Sequence, residues 1–319
     1  YWVMFLILAL PALASARPVG AKRSLPGWIA IGIMLLLFIG FRHEVGGDWG
    51  NYIGRFLFYQ QFDFTEVLLA SDPGYVYLNW QMAQWGFGIY AVNMVCAVFF
   101  TVGVMVFARQ QPYPWLTLAV AFPYLIMIVG MGYTRQGVAI GFILLSLVAL
   151  EHRRFLPYLV AIALATLFHR TALVMIPLGF FLFGRGWAFR ALTIVVAAYV
   201  LYDAFVAEET EQLWDTYVEE AMISQGARIR VFMNLVPSLI LLLSWRTWRS
   251  WFPDYWFWFW IAAGSVVSVL LVDFASTAVD RIALYFLPIQ LVVFSRLPML
   301  WKRRVDPNLL RFGIVAGYA

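Results

Sequence analysis

The sequence predicts an all-α, polytopic membrane protein in which helices form a transmembrane bundle. Of its 319 residues, 63% are hydrophobic and only 12% are charged, whereas a soluble domain is nearer half apolar and a quarter charged. Apolar runs close to the ~20 residues that cross a bilayer recur along the whole chain. No run alternates with the period of a barrel strand, and helices are the other structure that satisfies backbone hydrogen bonds in lipid.

The apolar runs number about eleven, within a range of roughly 10–13 because several are short or adjoin one another. They cover 1–16, 25–41, 89–108, 114–131, 135–150, 154–168, 170–184, 187–206, 229–245, 253–272 and 280–298. The first lacks the basic segment of a signal peptide, so we interpret it as a span. We expect one integral membrane domain over 1–319.

The placement of charge predicts the orientation of the chain. Most of the 22 Lys and Arg residues fall in short loops on one side, which the positive-inside rule assigns to the cytoplasm. The basic excess therefore reflects membrane anchoring, and we expect no nucleic-acid partner.

Two longer segments then lie on the outer side. Residues 42–88 are predicted to contain short amphipathic helices at the membrane surface, with Asp72 as an N-cap and Pro73 as the first helical residue. Residues 207–228 form an acidic loop with amphipathic helical character. Its simplest interpretation is a solvated cap over the bundle, and substrate contact is the alternative.

Charged residues gather at the outer ends of several spans, where they are costly and often mark function. They are Arg42 with Asp48, Arg135, His169 with Arg170, Arg228 with Arg230, Asp273, and Asp280 with Arg281. An arginine at a helix end can also snorkel to headgroups as an anchor. Guanidinium groups suit bidentate recognition of phosphate oxygens, so a convergent set could bind a diphosphate. We favour this role for Arg135 and Arg281 and leave both roles open for the others.

His169 also has two interpretations. It is either a hydrogen-bonded packing residue or a base that takes a proton from a hydroxyl nucleophile near neutral pH. The three histidines are well separated and no Cys/His/Asp cluster has metal-ligand spacing, so we expect no metal site. The sequence has no P-loop and no G-x-G-x-x-G motif, which argues against ATP-driven transport.

Four segments, in their order and spacing, resemble the EpsG family, a branch of the Wzy-type polysaccharide polymerases. They are FRHEVGGDWGNY (Arg42, Gly46, Asp48, Tyr52), DPGYVYLNW, YTRQGVAIGFILLS (Arg135, Gln136) and LATLFHRTALVMIPL (His169, Pro177). A fifth, VDRIALYF with Arg281 and Tyr285, is a weaker likeness. The resemblance covers about residues 25–300.

The resemblance implies a GT-C-like membrane glycosyltransferase that needs neither a metal nor another cofactor. Such enzymes join undecaprenyl-diphosphate-linked oligosaccharide repeat units on the periplasmic face of the bacterial inner membrane, in O-antigen, capsule or exopolysaccharide synthesis. The growing glycan passes from its lipid diphosphate to the terminal hydroxyl of a new lipid-linked unit. The expected partners are this donor and acceptor, membrane lipids and a chain-length regulator. The alternatives are O-antigen ligase-like transfer and a flippase or transporter of the lipid-linked unit.

Site roles follow from the same resemblance and from the charges. His169 and Asp48 are the catalytic candidates. Four arginines are candidates for binding the diphosphate: Arg42, Arg135, Arg170 and Arg281. Residues expected near the glycan or in secondary roles are Tyr52, Gln136, Arg228, Arg230, Asp280 and Tyr285. Arg42 has a second interpretation, an ion pair with Asp48 that holds the glycine-rich loop closed.

Overall fold

A computed structural model describes residues 1–14, 25–183, 191, 195, 199, 226–274 and 276–319. Over these residues all regular structure is helical. The first nine α-helices are α1 (Trp2–Ala14), α2 (Leu25–Gly40), α3 (Trp49–Tyr59), α4 (Phe64–Leu69), α5 (Pro73–Gln84), α6 (Ile89–Gln110), α7 (Pro114–Ala121), α8 (Thr134–Glu151) and α9 (Phe155–Phe168). The others are α10 (Ile176–Phe183), α11 (Ala227–Leu243), α12 (Trp245–Trp251), α13 (Tyr255–Leu271), α14 (Ser276–Phe286), α15 (Pro288–Leu300) and α16 (Pro307–Tyr318). A π-helix covers Phe122–Gly130 and a 3₁₀-helix covers Arg170–Met175.

The apolar helices make this a multi-pass membrane protein. Three helical segments of the described chain are long and apolar enough to cross a membrane: Ile89–Gln110, Thr134–Glu151 and Val279–Leu300. The pair α11 and α12, bent by 79°, would be a fourth span if it is counted as one. Shorter apolar helices occupy most of the other predicted runs, so the number of about eleven spans stays a prediction. The predicted run 187–206 and the acidic segment 207–228 fall almost entirely outside the described residues.

One face of α2 illustrates why these helices suit lipid. Ile29, Ile33 and Leu37 follow one another at helical spacing and are exposed by 51%, 51% and 44%. An exposed stripe of large apolar side chains is unusual on a soluble protein, because water would have to solvate it. Acyl chains solvate such a stripe without this cost.

The chain forms two compact units. The first comprises Tyr1–Val148, Val160–Ala172 and Phe294–Ala319, and the second comprises Ala149–Leu159 and Leu173–Val293. In the first unit α2 packs on α6, α1 packs on α7 and α16, and α5 packs on α3 and α6. In the second unit α11 packs on α13 and α14. The single domain over 1–319 stays a prediction.

Glycines bring α6 and α8 into close contact in the first unit. A Cβ on Gly103 would lie 2.1 Å from the carbonyl oxygen of Gly141, and a Cβ on Gly141 would lie 2.8 Å from the backbone of Phe100. Small residues at helix crossings allow the backbones of membrane helices to approach. The contact fixes α8 against α6, and both helices carry residues of the candidate site.

The outer segment 42–88 contains three short helices, α3, α4 and α5. Helix α3 buries Trp49, Tyr52 and Phe56 at helical spacing, as an amphipathic helix should. Helix α4 begins with a capping box between Asp63 and Glu66. Helix α5 begins at Pro73 after Asp72, as predicted, but the Asp72 side chain makes no capping hydrogen bond. Its carboxylate has other partners, described below.

Two predicted runs are interrupted rather than continuous. The run 114–131 is α7 followed by the π-helix, in which Pro123 stands near the start and lacks a backbone N–H donor. The run 170–184 opens as a 3₁₀-helix. The break at Tyr133, before α8, and the break at His169 both belong to the first unit. As a result, Arg135 lies in the first turn of α8 and Arg170 is the first residue of the 3₁₀-helix.

A buried arginine cluster as the candidate functional site

Arg42 is a buried cation two residues after the end of α2. It is only 4% exposed, and its Nη2 donates to Asn93 Oδ1 at 3.3 Å and to the Thr134 hydroxyl. Its Cζ lies 5.9 Å from the ring centroid of Trp49 and 5.8 Å from that of Tyr52. Its Nε and Nη1 have no hydrogen-bond partner in the described part of the chain. Burial lowers the pKa of Arg42, and nearby Tyr52 opposes this change.

The interpretation that Arg42 pairs with Asp48 is wrong. Within the described residues no carboxylate is within ion-pair distance of Arg42, and Asp48 instead accepts a hydrogen bond from Asn51 at 3.3 Å. The reason is the start of α3 at Trp49, which packs the rings of Trp49 and Tyr52 against Arg42. Arg42 therefore keeps an uncompensated charge and two unused donors.

Arg135 forms an ion pair at the start of α8. Its Nη1 lies 2.6 Å from Oδ2 of Asp72, and the other oxygen, Oδ1, accepts the backbone N–H of Arg170 at 3.2 Å. The Asp72 side chain is 5% exposed and that of Arg135 is 25% exposed. Burial raises the pKa of the Asp72 carboxyl, while Arg135 and Arg170 oppose the rise. One carboxylate thus contacts two of the predicted diphosphate-binding residues.

Aromatic rings connect Arg42 with Arg135. The rings of Tyr52 and Tyr75 meet edge to face, with centroids 6.1 Å apart, and the Arg135 Cζ lies 5.9 Å from the Tyr75 centroid. Burial raises the pKa of Tyr52, so its hydroxyl stays protonated. We call Arg42, Arg135, Arg170 and Asp72 the arginine cluster. It unites three of the four predicted diphosphate-binding arginines.

The two catalytic candidates are placed differently. His169 is half-buried and links α9 to the 3₁₀-helix, next to Arg170. Asp48 is half-buried and lines a cavity of about 390 Å³ with the glycine-rich loop Val45–Gly47 and with Met131, Gly132 and Tyr133. A Cβ on Gly46, whose φ is +92°, would lie 2.8 Å from the Cα of Gly132. The loop therefore lies directly against the chain that leads into Arg135.

A profile of the EpsG family matches residues 28–318. The chain belongs to the EpsG family. This family contains exopolysaccharide and O-antigen polymerase-like proteins, so membership supports a polysaccharide polymerase-like role for this membrane protein. No curated protein and no solved structure matches the chain. The matched range includes every residue of the arginine cluster.

Other predicted site residues of this EpsG-family protein lie in the second unit. Arg230 makes two hydrogen bonds to the carboxylate of Asp280, and Arg228 lies 2.8 Å from Asp273. Arg281 is half-buried and Tyr285 is fully buried, both on α14. The charges of Arg228 and Arg230 are thus compensated inside the unit, and a role of this set toward substrate stays a prediction. Gln136, in the first unit, is buried in the first turn of α8.

The EpsG-family protein also uses residues that sequence reasoning missed. The sequence pattern indicates only a helix cap for Asp72, and it does not single out Asn93 or Thr134. Asn93 is a buried amide inside an apolar helix. A polar side chain in such a helix often marks a functional site, as a charged one does, so this signal could have identified Asn93. Thr134 directly precedes Arg135 but is neutral and carries no pattern of its own.

No metal centre is formed by the described residues. They contain no group of three or more His, Cys, Asp or Glu residues that could bind a metal ion. Independence from metals and cofactors remains a prediction from the resemblance.

Proposed function

We propose that this EpsG-family protein polymerises undecaprenyl-diphosphate-linked oligosaccharide repeat units on the periplasmic face of the bacterial inner membrane. The terminal hydroxyl of the acceptor unit attacks the anomeric carbon of the growing glycan. The bond from that carbon to the diphosphate oxygen breaks, undecaprenyl diphosphate leaves, and the hydroxyl proton passes to a base. The single observation that carries the proposal is Arg42, a buried guanidinium with no carboxylate partner and two donor nitrogens, Nε and Nη1, that have no acceptor among the described residues.

The arginine cluster suits a diphosphate leaving group. Negative charge develops on the diphosphate as its bond to the sugar breaks, and preorganised cations stabilise that charge. Asn93 and Thr134 fix Arg42, and Asp72 fixes Arg135. Neither arginine has to reorganise during the reaction. Both can offer planar N–H donors that match phosphate oxygens.

Two residues are candidates for the base. His169 adjoins Arg170, whose backbone is part of the arginine cluster, and a neutral imidazole accepts a proton from a hydroxyl near neutral pH. Asp48 lines the cavity of about 390 Å³ beside the glycine-rich loop. That volume falls in the range of small-molecule sites, and a carboxylate there could hydrogen-bond a sugar. We assign the proton to His169 and acceptor contact to Asp48.

An elongation assay tests the proposal. The purified protein in lipid nanodiscs is given a defined undecaprenyl-diphosphate-linked oligosaccharide, and the products are resolved by mass. We expect a ladder of repeat units with wild type, and only the single repeat with Arg135→Ala or His169→Ala at equal protein level. Arg303→Ala is the matched control because Arg303 is an exposed arginine outside the cluster. Long products from either test variant would remove that residue from the mechanism.

Two companion assays, one with a lipid A-core acceptor and one in sealed vesicles, separate the alternatives. An O-antigen ligase would transfer preassembled glycan to a lipid A-core acceptor and would not lengthen the lipid-linked unit. A flippase would move labelled unit between the leaflets of a vesicle without any change in its mass. The charged cluster at one end of the apolar helices favours an enzyme over a transporter, whose path would need polar groups along its length.

A further inference from the structure

Helix α5 begins with Asp72-Pro73-Gly74, and the Asp72 side chain is not used for capping. The backbone carbonyl of Asp72 accepts the N–H groups of Tyr75 and Val76, so the helix begins normally. The carboxylate instead accepts from Arg135 at 2.6 Å and from the Arg170 N–H at 3.2 Å. A buried acid costs more than a neutral capping residue. The capping position alone therefore does not account for an aspartate here.

Pro73 and Gly74 allow this placement. Proline suits the first helical position because no N–H is needed there. Gly74 packs on the end of α9: a Cβ at this position would lie 2.9 Å from the Leu167 Cβ and 3.0 Å from the Leu167 carbonyl oxygen. Any larger residue would push α5 away from α9. The close approach puts Asp72 within reach of the Arg170 backbone, two residues beyond the end of α9.

The ion pair is asymmetric in its exposure. Asp72 is almost fully covered while the Arg135 side chain remains 25% exposed. Asp72 thus lies behind Arg135, and its carboxylate contacts the guanidinium through Nη1. A guanidinium has five N–H donors in a rigid fork. A ligand can therefore bind the open part of Arg135 while Asp72 stays in place.

We propose that Asp72 is a positioning residue, which holds Arg135 and the His169–Arg170 turn in one geometry. The arginine that binds the diphosphate and the histidine that accepts the proton then act on the same reacting glycan. The inference rests on the proposed function and deepens it. Asp72 acts through the residues it fixes and does not itself touch the reacting atoms. Its loss should lower turnover more than it lowers affinity for the donor.

The test variant is Asp72→Asn, which keeps the shape and an acceptor oxygen for the Arg170 N–H but removes the negative charge. We expect kcat for elongation to fall about 100-fold, the cost of misplacing a catalytic group by about 1 Å. The KM for the donor should change by less than about threefold. Asp63→Asn is the matched control, because Asp63 caps α4 outside the cluster, and it should elongate like wild type.

A double-mutant cycle tests whether Asp72 acts through Arg135. Arg135→Lys keeps a charge and measurable turnover but loses the fork geometry. If Asp72 acts by orienting the Arg135 fork, Asp72→Asn should add less than about threefold to the loss in the Arg135→Lys background. A full additional 100-fold loss would overturn the proposal. If Asp72→Asn folds poorly, Asp72→Glu is the second variant. It keeps the negative charge, so it should retain part of the wild-type kcat.

Chemical modification gives a readout that does not need elongation. Phenylglyoxal modifies accessible guanidinium groups, and mass spectrometry follows the peptide that contains Arg135. We expect modification of Arg135 to be several-fold faster in Asp72→Asn than in wild type or Asp63→Asn. Unchanged modification would refute the positioning role. Faster modification together with no elongation by wild type would instead reject the proposed polymerase function and keep the role of Asp72.

Discussion

At the scale of single residues, the buried Arg42 guanidinium lowers the stability of the folded protein relative to an apolar side chain at the same position. A buried charge without a counter-ion costs several kcal/mol of desolvation, and hydrogen bonds to Asn93 and Thr134 offset only part of that cost. A structural arginine would be expected to have a carboxylate partner, as Arg230 has in Asp280. Arg42 instead retains unused N–H donors among the described residues. This combination favours an anionic ligand over anchoring.

Replacement of Arg42 by methionine should separate stability from function. Arg42→Met fills similar volume without charge, so we expect the melting temperature in detergent to stay the same or to rise. Elongation should fall about 10²–10³-fold, as when one preorganised donor to a developing anion is lost. Arg42→Lys, which keeps charge but not the fork, should fall in between. A lower melting temperature with normal elongation would assign Arg42 a structural role.

The sequence identified Arg42 and Arg135 because a charge beside a long apolar run is conspicuous. The sequence does not reveal their partners, because these are neutral or distant in the chain. Arg42 donates to Asn93 and Thr134, and Arg135 donates to Asp72. Asp72 was missed because an Asp before a Pro already has a sufficient local explanation as a helix cap. The same Asp72 side chain could cap α5 or pair with a distant arginine, and only the tertiary structure shows that it pairs with Arg135.

At the scale of elements, the position of most apolar helices was predictable, but their interruptions were not. A run of apolar residues looks the same whether it forms α, π or 3₁₀ turns, because burial on all sides removes the helical period. The change from α7 to a π-helix at Phe122 and the 3₁₀ turns after His169 are therefore findings of the structure. The π-helix ends five residues before Arg135, and the 3₁₀-helix begins at Arg170.

The glycine-rich loop gives an element-scale prediction with its control one residue away. Gly46→Ala would place a side chain at φ +92° and 2.8 Å from the Gly132 Cα. The left-handed conformation alone costs about 1–2 kcal/mol, and the contact would push the loop away from the chain leading into Arg135. We expect a lower melting temperature and reduced elongation.

Gly47→Ala provides the comparison, because a Cβ at Gly47 has nothing within 4 Å and its φ is not in the positive range. Its melting temperature and elongation should match wild type. Equal effects of Gly46→Ala and Gly47→Ala would mean that the loop tolerates displacement and does not shape the site.

At the scale of the whole molecule, the distribution of charge carries the argument for orientation. The net charge of +5 arises from 22 basic and 17 acidic residues, and sequence alone assigns most of the basic ones to one side of the membrane. The arginine cluster belongs to the opposite side in this topology, where the positive-inside rule gives an arginine no advantage. The periplasmic placement of the chemistry therefore depends on this topology, which can be measured directly.

Cysteine labelling tests the orientation with little background. Cys96 is the only cysteine and is buried, so a Cys96→Ala chain provides an unreactive starting point. Two exposed residues of the first unit bracket α6: Gln61 precedes the helix on the predicted outer side, and Gln110 is its last residue on the predicted inner side. In intact cells a membrane-impermeant maleimide should label Gln61→Cys, and should label Gln110→Cys only after the inner membrane is permeabilised. The opposite pattern would place the arginine cluster at the cytoplasmic face, and a polymerase acting on periplasmic lipid-linked units would then be excluded.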